Sequence, residues 1–95
     1  MTTDYRPIDC DQHSALELLA MRRVSVTARA TDEGGAALTL QGVVSDVLTR
    51  RGEEFLVLRD PAGRERSIRL DRLQALYGAA GGLLWQHGRS GAGDA

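Results

Sequence analysis

The stretch "ALTLQGVVSDVLTR", residues 37–50, is the one on which the fold turns. It is too long to be one straight strand of a small domain. Gly42 and the Ser45-Asp46 pair interrupt it, and these are places where a strand bends or bulges as a sheet curls into a barrel. Upstream, in "VSVTARAT", Val24, Val26, Ala28 and Ala30 alternate with Ser25, Thr27, Arg29 and Thr31, the period of a half-buried strand. "DEGG" (32–35) turns that strand into the long one. Downstream, "RRGEE" turns the chain again into "FLVLR", which is apolar on both faces and so belongs inside a sheet. "DPAG" (60–63) is a further turn, with Pro61 setting φ and Gly63 accepting positive φ. "RERSIRL" follows with Ile68 and Leu70 inward and Ser67 and Arg69 outward. "DRLQALYG" reads as a short helical turn and "LLWQ" (83–86) as a last edge strand. Residues 88–95, "GRSGAGDA", have the composition of a disordered tail.

The N-terminal part has a different period. Asp9 or Asp11 is a natural N-cap, and Asp9 with Gln12 has the spacing of a capping box. The helix should run to about Met21, with Ala15, Leu16 and Leu19 on one side and His13, Ser14 and Glu17 on the other. One helix followed by about five or six short antiparallel strands makes a mainly β domain. At this length a small curled barrel is the economical arrangement, with residues 1–87 forming one domain.

Composition narrows the function. Net charge is −1, from 13 acids against 12 arginines, so no overall basic field favours phosphate backbones. The chain has four aromatic residues, Tyr5, Phe55, Tyr77 and Trp85, few for a protein that stacks single-stranded bases. Residues 1–20 hold Asp4, Asp9, Asp11 and Glu17 against Arg6 alone, so the N-terminus is the acidic end. With one cysteine, no apolar leader and no apolar run of membrane-spanning length, the expectation is a soluble cytoplasmic protein without an intrachain disulfide.

Asp9, Cys10, Asp11 and His13 lie within five positions, a cluster of residue types capable of chemistry. Cys10 and His13 have a C-x-x-H spacing, but no second pair completes the four ligands of a structural zinc site, and His87 stands alone near the far end. A thiolate nucleophile at Cys10 would have His13 as base but no orienting group, so Cys10 reads as a small buried hydrophobe. Asp9 and Asp11 read as cap and helix-dipole partners rather than an acid–base pair. The glycine clusters match no phosphate-binding loop. No catalytic, metal-binding or cofactor-binding residue is expected. What survives is binding: an acidic helix suited to a basic partner, and "TRRGEE", which is either a solvated hairpin tip or a contact loop.

The blocks "YRPIDCD", "LEL" on the helix, "SDVLTR", "EFLVL" and "RLDRL" resemble the Rho-binding antiterminator family, Rof, over about Tyr5 to Leu76. The specific part is Tyr5, Pro7, Ile8, Cys10, Asp11, Leu16, Glu17 and Leu18. The resemblance implies a helix packed on an Sm-like antiparallel β-barrel. It also implies an inhibitor that binds transcription termination factor Rho at its N-terminal RNA-binding domain, blocks the primary RNA site and reduces Rho-dependent termination. The implied contact residues are Asp9, Asp11, Gln12, Ser14 and Glu17 on the helix, with Arg50, Arg51 and Gly52 in the loop. Family members carry further acids where this chain has Gln12, His13 and Ser14, so its acidic rim is thinner. Cys10 and Pro7 would tuck the entering chain against the barrel. The free protein is expected to be a monomer, with no membrane partner and no direct contact to nucleic acid. An Sm-like module acting on RNA directly remains the alternative, and a steep loss of binding with salt would reveal it.

Overall fold

The computed structural model describes residues 5–88; the tail from residue 89 on, and Asp4, lie outside the described residues. The chain forms helix α1 (Cys10–Met21) and six strands: β1 (Ser25–Thr31), β2 (Ala37–Arg50), β3 (Glu53–Arg59), β4 (Glu65–Arg69), β5 (Leu73–Gly78) and β6 (Leu83–Gln86). All neighbouring strands pair antiparallel, in the order β4-β3-β2-β1-β5-β6. The fold is therefore mainly β with one N-terminal helix, as expected. The expected barrel is only approached: the pairing leaves β4 and β6 as edges, and the curled sheet is not closed.

The long stretch 37–50 is one strand that serves two partners. Its first half pairs with β1 and its second half with β3, and Val43 faces Ser25 on one side and Arg59 on the other. The β2–β3 pairing slips between Val44 and Asp46, so Ser45 is the bulge residue, and its hydroxyl donates to the Val57 carbonyl at 3.2 Å. At Gly42 the backbone of Arg59 and Asp60 comes so close that a Cβ would lie 2.6 Å from the Arg59 oxygen. Bend and bulge curl the sheet around a core of Leu56, Leu58, Leu70, Leu73, Leu76 and Val44, all fully buried. Helix α1 adds Leu16 and Ala20 to that core and packs against β2 and β6.

Three local readings need correction. "DRLQALYG" is not a helical turn: only Leu70–Arg72 forms a 3-10 turn, and Leu73–Gly78 is strand β5, paired with β1 and β6. Both its edges are paired, and the register shift against β1 next to Gln74 breaks the simple alternation that would have marked it as a strand. Arg69 does not point into solvent. Its side chain is 9% exposed, and its guanidinium lies 5.8 Å above the Tyr5 ring and meets Asp71 at 2.7 Å and Glu53 at 3.6 Å. Two carboxylates and an aromatic face make that burial tolerable. Cys10 is exposed, because the first residue of the helix faces away from the sheet.

Candidate partner-binding surface

Asp9 is the N-cap: its carboxylate accepts the Gln12 amide at 2.8 Å. Gln12 does not return the bond as a capping box would. Only 3% exposed, it donates through Nε2 to the Gln86 carbonyl at 2.6 Å and accepts the Gly88 amide at 3.0 Å. The Trp85 indole N–H donates to the Gln12 carbonyl at 3.1 Å. Gln12 thus clasps the helix start to β6 and its exit, and Gly88 belongs to this clasp although composition assigned it to the tail. Of the expected contact residues, Gln12 is the one whose side chain is turned into the protein.

Asp9, Asp11, Ser14 and Glu17 are exposed. So are Arg50, Arg51 and Gly52, which form the β2–β3 hairpin tip, where Arg50 pairs with Glu53. Arg51 and Gly52 have φ of 53° and 80°, the positive pair of a two-residue type I′ turn. The two expected segments are joined by His13, which the sequence offered as a metal ligand, a base or a position lacking the family's acid, but not as a link between them. His13 Nε2 lies 2.9 Å from Glu54, just past the hairpin tip, and Nδ1 lies 3.6 Å from Glu17, one turn along the helix. Glu54 also accepts the Tyr5 hydroxyl at 2.7 Å. Burial, then the hydrogen bond and charge of Glu54, push the Tyr5 hydroxyl pKa far above its usual range. The i,i+4 spacing of His13 and Glu17 was visible in the sequence; the partner on β3 was not.

The helix face also differs from expectation. Gln12, Leu16 and Ala20 are buried, Ala15 is exposed, and Leu18 and Met21 stand out at 44% and 79% exposure. The outward side of α1 therefore carries Ser14, Leu18 and Met21 between the carboxylates of Asp11 and Glu17. Among the described residues no cluster of three or more His, Cys, Asp or Glu is placed to hold a metal ion, and no helix is long and apolar enough to cross a membrane. This surface presents carboxylates and apolar side chains together, and Glu17 and Met21 line a shallow cavity of about 460 Å³ with Asp46 and Val47.

A family model described as modulator of Rho-dependent transcription termination (ROF) matches residues 7–81. The chain belongs to the Rof family. Two curated relatives, each named Protein rof, come from Escherichia coli strain K12 and Shigella flexneri. Both are 34% identical over 73 residues, covering 77% of this chain and 81% of the relative. The Rof family is a regulatory one, acting on transcription termination. The Rof match spans the helix, the hairpin tip and the sheet through β5, so every candidate contact residue falls inside it.

Proposed function

We propose that this Rof-family protein inhibits Rho-dependent termination by binding Rho and covering its primary RNA-binding site. The observation that carries the reading is the His13–Glu54 contact at 2.9 Å, which seats the acidic helix rim beside the Arg50-Arg51 hairpin tip on one side of the molecule. A site on Rho that holds RNA phosphates must be basic, so a competitor needs carboxylates where RNA presents its charge. Asp11 and Glu17 supply them, Leu18 and Met21 add apolar area between them, and the two arginines set orientation at the edge.

The test is a termination assay with purified Rho, paired with competition against a labelled pyrimidine-rich RNA. A folded Glu17→Lys, Asp11→Asn double variant should lose both activities, because it places like charge against a basic site. If it relieves termination as well as the parent, this face is not the contact surface.

A further inference from the structure

The outer face of β1, β5 and β6 carries a groove of about 480 Å³. Alternation sets its floor. Ala28 and Ala30 point into the core, so Arg29 points out. Arg29 pairs with Ala75 and Ala75 with Gln86, giving one row across three strands whose middle residue is small. Tyr77, paired with Thr27, stands two residues along the same face. Arg72, Gln74 and His87 close the other side. His87 is held there by its amide, which donates to the Gln74 carbonyl at 2.8 Å, and by its ring, edge-on to Trp85 at 6.1 Å.

Arg59, Arg66 and Arg69 each meet a carboxylate. Among the described residues the guanidinium groups of Arg29 and Arg72, like those of Arg6, Arg22, Arg23, Arg50, Arg51 and Arg64, meet none; these two line one groove, and Arg72 is half-buried. Asp71 also lines the groove, but Arg69 binds both its oxygens, at 2.7 and 3.0 Å, and the Arg6 amide donates to one at 3.2 Å. Asp71 therefore already has partners on both oxygens, although Arg69 is shared with Glu53. The groove is lined by two guanidinium forks without a carboxylate partner, two amide side chains and a tyrosine.

We infer that this groove binds a phosphate group carried beside a planar ring, as in a nucleotide. Planar forks match phosphate oxygens in bidentate pairs. Gln74 and Gln86 offer both donors and acceptors to a base edge, and Tyr77 offers one aromatic surface to it. A single ring suits one nucleotide, either free or within a strand.

Nuclear magnetic resonance titrations of the whole protein distinguish the sources, with inorganic phosphate, uridine monophosphate and a short uridine oligonucleotide as probes. Amide resonances of Arg29, Ala75 and His87 should shift saturably with all three. Equal affinity for the monophosphate and the oligonucleotide assigns a free nucleotide; tighter, salt-sensitive binding of the oligonucleotide assigns a strand. Arg29→Gln should weaken binding by about tenfold or more, the scale of one charge-assisted bond. Arg29→Gln with Arg72→Gln should abolish it. The Arg29→Lys, Arg72→Lys variant, which keeps charge but loses the forks, should fall between parent and glutamine variant, and it serves as the test if the glutamine variant does not fold. The inference is overturned if no probe gives saturable shifts at millimolar concentration, if sodium chloride of matched ionic strength reproduces them, or if they survive in a folded double glutamine variant.

Discussion

At Gly42 a side-chain methyl would lie 2.6 Å from the Arg59 carbonyl oxygen, against backbone that cannot swing away. Gly42→Ala should therefore cost roughly 1–3 kcal/mol, the range for forcing a methyl group into a packed site, read by urea denaturation. Two arginines sit in the opposite situation. Arg23 (φ 53°) and Arg51 (φ 53°) hold the left-handed conformation that glycine and asparagine accept most easily. Arg23 follows the helix C-cap, where the Val24 amide donates to the Leu19 carbonyl and the Arg23 amide to that of Ala20, both at 3.2 Å. This is a Schellman motif with arginine where glycine is usual. Arg23→Gly should raise stability by about 1 kcal/mol, visible as a higher denaturation midpoint with an unchanged slope. Cys10 is exposed, so Cys10→Ser should change stability by less than about 0.5 kcal/mol, not by the cost of a buried hydroxyl.

At the scale of elements, helix α1 is fixed at its start by polar contacts and further along by Leu16 and Ala20. Gln12→Ala keeps the helix but strips a donor from the Gln86 carbonyl and an acceptor from the Gly88 amide. Loss of roughly 1–3 kcal/mol is expected, with faster amide exchange in β6 than in β3 as the mark of local undocking. The segment before the helix is tied to β3 by the Tyr5 hydroxyl on Glu54. Because burial and Glu54 raise its pKa, the folded state keeps a proton that the unfolded chain loses above about pH 10. More protons bound in the native state means that stability falls as pH rises through the alkaline range. The group's contribution is fully present below that range. Tyr5→Phe should be less stable at neutral pH but show a shallower decline above pH 10 than the parent, checked by denaturation at a series of pH values.

For the whole molecule, Asp11, Glu17 and Glu54 lie on one side, around α1 and the start of β3, while Arg29 and Arg72 line the groove on the outer face of β1 and β5. If the acidic side meets a basic site on Rho, added salt should slow association more than it speeds dissociation, because screened charges act mainly on encounter. Surface plasmon resonance at low and high salt separates the two rates. Leu18→Ser with Met21→Ser should act the other way, raising the dissociation rate with little change in salt dependence.

The alternation of Val26, Ala28 and Ala30, the interruptions at Gly42 and Ser45, and the cap before Cys10 were legible because each is a local preference of backbone or side chain. They determined one helix, the turns and a bent central strand. The blocks around Asp11, Glu17 and the hairpin pointed to the Rof family for the same reason: they are contiguous. What the tertiary structure decided is where local patterns meet. Gln12 became a buried clasp because Gln86 and Gly88, more than seventy residues away, present a carbonyl and an amide beside it. Arg69 went inside because Asp71, Glu53 and Tyr5 surround it. Residues 73–78 became strand because β1 and β6 offer edges on both sides, a choice no local propensity encodes. His13 joined helix to hairpin for the same cause, since the energy of a polar contact depends on a partner that only the folded chain brings within reach.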